Sequence, residues 1–280
     1  MQLPEPDFIS SSDNVEVAAY DFGGDGPLLV LCHATGFCAG VWAPLISTLS
    51  STYRCVAIDF RAHGRTALPE GVELVWSGMA EDLLAVVDAF SDGRPVRAVG
   101  HSMGGAAIVL AAQRRPDLFV SAWAFEPILF GTGTVDRGED APGIAKGALR
   151  RRRSFASRAE VVERLGSKLP LSLLHPDALK AYVDYGFADQ PDGTVELCCT
   201  PENEAAVFEH HAAGAFEAAG TISFPFATAA SGDGQPPAAR IYFAAATYPH
   251  LTLIEYPDLT HFGPLQDPIR VAEDILEWFE

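Results

Sequence analysis

A serine between two glycines stands where a short apolar segment gives way to an alanine-rich one, in the sequence Gly100-His101-Ser102-Met103-Gly104. Residues 95–99 (PVRAV) are typical of a short strand, and residues 103–113 (MGGAAIVLAAQ) carry apolar side chains at helical spacing. Because glycine has no Cβ atom, it lets a strand and a helix pack closely around a sharp turn. The pattern predicts a strand–turn–helix unit that holds Ser102 in a strained conformation with its hydroxyl exposed, as a nucleophile requires. The alternative is a tight turn whose serine has no chemical role.

Strand-like and helix-like segments alternate on both sides of this turn. Continuous apolar runs, such as residues 28–32 (LLVLC), are typical of strands that are covered on both faces. The alternation predicts an α/β fold with a mostly parallel central sheet and helices on both faces. The expected strands are residues 15–22, 28–32, 53–59, 95–99, 120–125, 224–230 and 251–256. The expected helices of this core are residues 40–50, 77–90, 103–113, 237–246 and 269–280, the second of them capped by Ser77.

The alternation stops after Pro127. Strand-like runs disappear from residue 128 to about residue 220, and a segment of that length with its own apolar faces predicts an inserted helical cap, or lid. The core then consists of residues 1–127 and 221–280. The expected cap helices are residues 144–155, 157–168, 176–187 and 201–211. Four consecutive arginines, Arg150 to Arg153, would spread around the circumference of a helix, so we expect them to be solvated surface.

Charge and cysteine content limit the possible partners and the compartment. With 37 acidic and 19 basic residues the formal charge is −18, which argues against binding to nucleic acid or to an anionic membrane. The first residues (MQLPEPDFIS) do not resemble a signal peptide, and no apolar run approaches the length of a membrane span. The five cysteines are odd in number and have no zinc-site spacing. We therefore expect a cytoplasmic protein.

Four motifs stand in order at the ends of expected strands: residues 33–36 (HATG), 59–65 (DFRAHGR), 100–104 (GHSMG) and 260–264 (THFGP). Together they resemble the α/β-hydrolase superfamily, and most closely its bacterial esterase-like members with a helical cap. The resemblance covers nearly the whole chain outside the cap and implies the α/β-hydrolase fold. Two positions depart from it, because Ala34 and Ala62 stand where many relatives have glycine.

The resemblance also implies roles for individual residues. A serine hydroxyl is a poor nucleophile at neutral pH and needs a base within hydrogen-bonding reach. Ser102 is the implied nucleophile and His261 the implied base, because the family order along the chain is nucleophile, acid, histidine. The backbone N–H groups of Thr35 and Met103 are the implied oxyanion hole, the donors that stabilise the negative oxygen of the tetrahedral intermediate.

Two carboxylates compete for the role of the acid. Relatives usually carry Gly-x-x-Asp after a late core strand, but here Gly232 is followed by Asp233, Gly234 and Gln235, and Gln235 cannot supply a negative charge. If this loop is shortened, Asp233 takes the acid position, and its distance from His261 in sequence leaves room for one helix and one strand. The alternative is Glu126, at the end of the strand after the Ser102 turn, where some lipase and dehalogenase relatives carry the acid. We favour Asp233.

These residues together predict the hydrolysis of a small, largely apolar carboxylic ester through an acyl-enzyme on Ser102. A serine in the turn argues against haloalkane dehalogenase and epoxide hydrolase chemistry, because those relatives use aspartate there. The same residues also serve C–C bond hydrolases, lactonases, thioesterases, amidases and acyltransferases. A hypothesis of another class is a non-catalytic ligand-binding module with this fold.

The remaining expectations concern cofactors, partners and the cap. We expect no cofactor and no metal, since His210 and His211 lack the one-turn spacing of a helical ligand pair. The expected partner is the small-molecule ester, bound by a monomer or a homodimer. Five cap aromatics indicate an apolar substrate pocket, although packing between cap and core would explain them equally well. They are Phe155, Tyr182, Tyr185, Phe187 and Phe208.

Overall fold

The computed structural model describes residues 2–132, 141–210, 214–232, 234 and 236–280. It contains two sheets, built from strands β1 (Asp7–Ser10), β2 (Glu16–Asp21), β3 (Leu28–Cys32), β4 (Arg54–Ile58), β5 (Val96–His101), β6 (Phe119–Phe125), β7 (Ser154–Phe155), β8 (Phe187–Asp189), β9 (Val195–Leu197), β10 (Phe226–Ser231) and β11 (Leu251–Tyr256). The larger sheet has eight strands in the order β1-β2-β4-β3-β5-β6-β10-β11. Only β1 and β2 pair antiparallel with their neighbours. The carboxyl ends of the parallel strands therefore share one edge of the sheet.

Helices cover both faces of this sheet. The α-helices are α1 (Ala43–Leu49), α2 (Trp76–Phe90), α3 (Met103–Arg114), α4 (Ala141–Ala148), α5 (Arg158–Gly166), α6 (Pro176–Tyr185), α7 (Pro201–Glu209), α8 (Ala215–Ala219), α9 (Pro236–Thr247), α10 (Gly263–Gln266) and α11 (Pro268–Phe279). Short 3-10 turns lie at Ser12–Asn14, Ala39–Trp42, Pro116–Leu118 and Leu171–Leu173.

The continuous apolar run of β3 supplies both hydrophobic cores. Val30 and Cys32 lie in the cluster that contains α2, α3 and α9. Leu29 and Leu31, which alternate with them, lie in the cluster that contains α1 and α11. Successive side chains of a strand point to opposite faces, so a strand that is buried on both sides has to be apolar throughout. The predicted mostly parallel sheet with helices on both faces is confirmed.

The prediction that residues 128–220 contain no strands is wrong. Strands β7, β9 and β8 form a small antiparallel sheet in that order. The connection between β8 and β9 contains Asp192-Gly193, and Gly193 has a φ of +87°, which is characteristic of a hairpin turn. These strands have two or three residues each, too few for the alternation of side chains to stand out. Strand β7 also replaces the end of the helix that was expected over residues 144–155.

Two smaller expectations differ from the structure. Strand β1 was not predicted, and α2 has no serine cap, because it begins at Trp76, before Ser77. The Trp76 indole N–H donates to the carbonyl oxygen of Val207 (2.8 Å) and the side chain is buried, so packing sets the start of this helix. The boundaries of the cap stay a prediction. Helix α8, inside residues 128–220, buries its alanines in the same cluster as α3.

Within the described part of the chain, no helix has the length and hydrophobicity needed to span a bilayer.

Candidate active site

Ser102 lies in the turn between β5 and α3, at the carboxyl edge of the sheet. Its backbone has φ 53° and ψ −114°, a combination that residues other than glycine rarely adopt. The turn is held on both sides: the Ser102 N–H donates to the Phe125 carbonyl oxygen (2.9 Å), and the Ser102 carbonyl oxygen accepts from the Ala106 N–H (3.1 Å). The predicted strained turn is confirmed, although the residue is largely covered, with 7% of its surface exposed.

The glycines around Ser102 permit close packing of the strand and the helix. A Cβ atom on Gly100 would lie 2.7 Å from the Cα atom of Gly105, in the first turn of α3. A Cβ atom on Gly104 would lie 2.1 Å from the carbonyl oxygen of Cys32, at the end of β3. Real side chains do not approach to these distances. The start of α3 is thereby brought against the loop that follows β3, where the Thr35 N–H is expected to act.

His261 and Glu126 form a hydrogen-bonded pair at the same edge. The His261 Nδ1–H donates to Glu126 Oε2 (2.6 Å). When Nδ1 carries the proton, Nε2 of the neutral ring is left as a proton acceptor. The histidine side chain is 23% exposed and the glutamate side chain 0%, so the ring can reach a substrate and the carboxylate cannot. This is the arrangement in which a carboxylate fixes the tautomer of a general base.

The backbone and the second oxygen of Glu126 fix the position of its carboxylate. Glu126 directly follows β6, has a positive φ of 42°, and donates its N–H to the Ala229 carbonyl oxygen of β10 (2.9 Å). Oε1 accepts from the Ser231 N–H at the end of β10 (2.7 Å). A non-glycine residue at positive φ persists only where its surroundings impose it, and such residues cluster at functional sites. Both carboxylate oxygens of Glu126 therefore have defined partners.

The structure thus places the alternative acid, Glu126, against His261. The favoured acid, Asp233, and also Gln235 lie outside the described residues. Asp258, three residues before His261, binds Arg270 (2.7 Å) on the surface, and the hydrogen bond from that guanidinium lowers the pKa of the carboxyl. Among the described residues, Glu126 is the carboxylate that contacts the imidazole.

His101 connects the loop of His261 to the turn of Ser102. Its Nε2–H donates to the His261 carbonyl oxygen (2.7 Å), and the two imidazole rings lie 5.0 Å apart. Burial and, to a smaller extent, the nearby His261 lower the pKa of His101 to about 3, so the ring stays neutral and keeps this donor. The residue next to Ser102 therefore holds the backbone of His261 in place.

The expected oxyanion-hole donors belong to buried residues. Thr35 is 9% exposed in the loop after β3, and Met103 is 0% exposed at the first position of α3. Within the described residues, neither backbone N–H has a hydrogen-bond acceptor. The first N–H groups of a helix have no partner inside the helix and attract negative charge. The two N–H groups are therefore available to a developing oxyanion.

Two histidines connect the Thr35 loop to the loop that follows β4. The Gly36 N–H donates to His63 Nε2 (3.0 Å), and in the opposite direction the Phe60 N–H donates to His33 Nε2 (3.1 Å). Each ring donates its Nδ1–H to a backbone carbonyl oxygen close by in sequence, that of Arg61 for His63 (2.9 Å) and that of Ala34 for His33 (2.8 Å). Both rings must be neutral to accept at Nε2.

Burial keeps these two rings neutral. It lowers the pKa of His63 to about 4 and lowers the pKa of His33 well below its usual value. The loop that follows β4 also contains Asp59. Its carboxylate accepts from the Ala39 N–H (2.6 Å), the Arg65 N–H (2.8 Å) and the Tyr20 hydroxyl (2.8 Å). Burial raises the pKa of Asp59 to about 6. These contacts fix both loops at the carboxyl edge of the sheet.

The arginine run contains a residue whose position the sequence did not predict. The expectation of a solvated surface is wrong for Arg151, which forms an ion pair with Glu204 and donates from Nη2 to the Tyr182 hydroxyl (2.6 Å). The side chains of Arg151 and Glu204 are 24% and 10% exposed. Burial alone would lower the pKa of the guanidinium, but the adjacent Tyr182 and Glu204 raise it above its usual value.

The cap aromatics serve mainly to pack the cap. Phe155, Tyr182 and Phe187 are buried in the same cluster as α1 and α11. The Phe187 ring contacts the rings of Phe155 and Tyr182 edge to face, each with its centroid 5.7 Å away. The Tyr185 hydroxyl accepts from the Leu3 N–H (2.9 Å). Phe208 packs against α4. Phe155, Tyr182, Tyr185 and Phe187 therefore pack against the core, whereas Phe208 packs within the predicted cap.

The family model described as the alpha/beta hydrolase family matches residues 29–274. The chain belongs to the alpha/beta hydrolase family. This confirms the fold class and the resemblance that the four motifs indicated.

Relatives of this alpha/beta hydrolase include two curated proteins. Protein phosphatase methylesterase 1 of Rattus norvegicus is 35% identical over 123 residues, which are 39% of this chain and 32% of that protein. The 2-(acetamidomethylene)succinate hydrolase of Mesorhizobium japonicum is 34% identical over 104 residues, 37% of this chain and 36% of that protein. The chain thus matches about a third of the length of these relatives. The crystal structure of E-2-(acetamidomethylene)succinate hydrolase has a TM-score of 0.87 and 19% identity, and the match covers 99% of both chains, which shows a shared fold.

One of the two departures from the family pattern has a visible structural consequence. Ala62 has a φ of 65°, in the left-handed region that favours glycine, and is 4% exposed. It lies between Arg61 and His63, whose backbone and ring support the Thr35 loop. The alanine of this alpha/beta hydrolase therefore adopts a left-handed conformation that glycine adopts more readily.

Proposed function

We propose that this protein is a serine hydrolase that cleaves small carboxylic esters, with Ser102 as nucleophile, His261 as general base and acid, and Glu126 as the carboxylate that orients His261. The hydrogen bond from His261 Nδ1 to Glu126 Oε2 (2.6 Å) carries the proposal. It leaves Nε2 as the proton acceptor, in a loop that His101 ties to the turn of the nucleophile. The Thr35 and Met103 N–H groups form the oxyanion hole.

The reaction has two halves. Ser102 Oγ attacks the ester carbonyl carbon, its proton passes to His261 Nε2, and the carbonyl electron pair moves to oxygen to form the oxyanion. When the oxyanion collapses, the bond to the alcohol oxygen breaks and His261 returns the proton to that oxygen. Water then attacks the acyl-Ser102 carbonyl, gives a proton to His261, and displaces Ser102 Oγ, which takes the proton back. Each oxyanion-hole donor contributes about 3 kcal/mol in enzymes of this kind.

The names of the relatives fit this chemistry. One is a methylesterase and another a hydrolase of an acetamidomethylene-substituted succinate. An ester and an acetamido group both present a carbonyl carbon to a serine nucleophile. We therefore propose short-chain esters as substrates, and thioester, lactone and anilide analogues belong in the same test panel.

The test is the hydrolysis of p-nitrophenyl acetate by wild type and by Ser102→Ala, together with labelling by a fluorophosphonate. We expect the wild type to hydrolyse the ester and to carry one label on Ser102. The variant should lose at least about 10³-fold in kcat and take no label. Ser91→Ala is a matched control, because Ser91 is also buried but directly follows α2.

The non-catalytic hypothesis makes the opposite prediction. If wild type and Ser102→Ala are equally inactive across the panel and neither is labelled, the protein is not a serine hydrolase. Labelling without turnover of any ester would instead favour another acyl-transfer reaction on the same serine.

A further inference from the structure

Three cap side chains meet the loop that follows β3. Arg151, just after α4, forms an ion pair with Glu204 of α7 and donates from Nη2 to the hydroxyl of Tyr182 in α6 (2.6 Å). Glu204 lies 53 residues and Tyr182 31 residues from Arg151 in sequence, so the group joins three separate cap elements. We call Arg151, Glu204 and Tyr182 the cap clamp.

The cap clamp lies directly against the two residues that follow Thr35. A Cβ atom on Gly36 would be 2.7 Å from Glu204 Oε1 and 3.2 Å from Arg151 Nη1, and Gly36 itself has a φ of +78°. The carboxylate therefore fills the space that any other side chain at this position would need. The next residue, Phe37, has its ring 4.9 Å from that of Tyr182 and 6.0 Å from that of Phe262.

Stability does not explain why this ion pair is covered. Removing two charges from water costs more than their attraction returns unless the geometry is excellent, and apolar side chains of similar size are often at least as stabilising. The neighbouring pairs Arg152–Glu160 and Arg153–Glu196 show that the same arginine run forms ion pairs at more exposed positions. The distinguishing property of the Arg151–Glu204 pair is its contact with Gly36.

The cap clamp contacts Gly36, the residue that directly follows an expected oxyanion donor in sequence. The Gly36 N–H is held from the core side by His63 Nε2 (3.0 Å), and the cap clamp covers the Cα atom of the same residue. Gly36 is bonded to Thr35, whose N–H is one of the two oxyanion donors in the proposed mechanism. Because the Thr35 N–H belongs to the Ala34–Thr35 peptide, a displacement of Gly36 would act through the backbone dihedral angles of Thr35 and turn that N–H away. Stabilisation of an oxyanion depends on donors that are aimed in advance.

We propose that Arg151 and Glu204, with Tyr182, are positioning residues that hold the Thr35 N–H toward the oxyanion, so that the cap takes part in forming the oxyanion hole. This inference rests on the proposed function. Neutralisation is part of the role, because an unpaired Glu204 beside Gly36 would oppose the developing negative charge. Arg151 compensates that charge and keeps the carboxylate in place.

The test measures kcat and KM for p-nitrophenyl acetate in Arg151→Met, in Arg151→Lys and in the double variant Arg151→Met/Glu204→Met. The matched control is Arg152→Met, the same change one residue further along, in the pair with Glu160. We expect kcat to fall about 100-fold in Arg151→Met and about 10-fold in the double variant, with KM within about twofold. Arg151→Lys should recover part of the loss.

A second readout isolates the oxyanion hole. An aryl trifluoromethyl ketone forms an adduct with a serine nucleophile that carries an oxyanion, so its inhibition constant should rise by the same factor by which kcat/KM falls. The double variant removes both charges, and we expect its melting temperature to lie within a few degrees of wild type. Restored stability with a persistent loss of kcat separates positioning from folding.

Two results would overturn the inference. If kcat and ketone inhibition in the double variant match the wild type, or if both recover together with the melting temperature, the cap clamp only stabilises the fold. An active wild type in that case leaves the proposed function intact. A wild type that neither turns over an ester nor labels at Ser102 overturns the proposed function, and this inference with it.

Discussion

Replacing Glu126 by glutamine tests the site most directly, because the structure fixes how the new amide would lie. The Ser231 N–H donates to Oε1, so the amide oxygen of a glutamine has to take that position. The amide NH₂ group then faces His261 Nδ1, where Glu126 Oε2 now accepts a hydrogen bond. An NH₂ group can only donate, so Nδ1 must become the acceptor and the ring proton must move to Nε2.

This change of tautomer removes the base. With its proton on Nε2, His261 cannot accept a proton from Ser102, and a carboxylate-to-amide change of this kind lowers kcat by about 10⁴-fold in a serine protease triad. That factor corresponds to about 5.5 kcal/mol of transition-state stabilisation. We expect a loss of about 10³- to 10⁴-fold in Glu126→Gln, with little change in KM. The side chain in Glu126→Asp is shorter by about 1.5 Å, and we expect the kcat of this variant to lie between those of Glu126→Gln and wild type.

The assay is the initial rate of p-nitrophenyl acetate hydrolysis, corrected for the fraction of enzyme that a fluorophosphonate titrates. Asp258→Asn is the matched control, since Asp258 lies in the same loop as His261 but binds Arg270 on the surface. Asp233→Asn tests the other candidate acid. A Glu126→Gln variant with activity within a few-fold of wild type, or a larger loss in Asp233→Asn, would refute Glu126 as the acid.

Two further predictions concern the loops around the site. Gly104→Ala places a Cβ atom 2.1 Å from the Cys32 carbonyl oxygen, so we expect a loss of roughly 3 kcal/mol in urea denaturation, whereas Gly147→Ala, with open space around it, should be neutral or stabilising. Equal urea denaturation midpoints for Gly104→Ala and Gly147→Ala would contradict the close approach of α3 to the end of β3. His63→Gln keeps an acceptor for the Gly36 N–H, and we expect its free energy of unfolding to fall less than that of wild type between pH 7 and pH 4.5.

The sequence was sufficient for those parts of the molecule in which local pattern and tertiary role coincide. Strand β3 is apolar throughout because it is buried on both faces, and the same property makes it recognisable without a structure. The Ser102 turn is recognisable because the glycines that permit close packing lie within two or three residues of the serine. In both cases the physical constraint acts over a few residues of chain.

The acid and the cap clamp could not be predicted in this way. Glu126 and His261 are 135 residues apart in sequence and are in contact because β6 and the loop after β11 converge at one edge of the sheet. The expected length of the loop near Asp233 could not predict that geometry. Arg151 has the same immediate sequence environment as Arg152. Only the positions of α6 and α7 distinguish the covered side chain from the more exposed one. The roles of Ser102, His261 and the two oxyanion donors stay predictions for the experiments above.

The sign of the His63 effect follows from which state binds the proton. Burial lowers the pKa of His63 to about 4 in the folded protein, whereas an unfolded histidine has a pKa of about 6.5. Between these values the unfolded chain binds a proton that the folded protein does not, so His63 lowers the free energy of unfolding as the pH falls through this window, by up to about 3 kcal/mol.

The buried Asp59 raises the free energy of unfolding as the pH falls, because burial raises its pKa to about 6 in the folded protein. His33 acts in the same direction as His63, because its folded pKa is lowered. Both residues are present in wild type and in His63→Gln, so to a first approximation their effects cancel in the difference between the two proteins. His175→Gln, at a side chain that is 40% exposed, is the control and should follow wild type. Parallel curves of the free energy of unfolding against pH for wild type and His63→Gln would show that His63 already binds a proton in the folded protein. That result would contradict a neutral His63 ring that accepts from the Gly36 N–H.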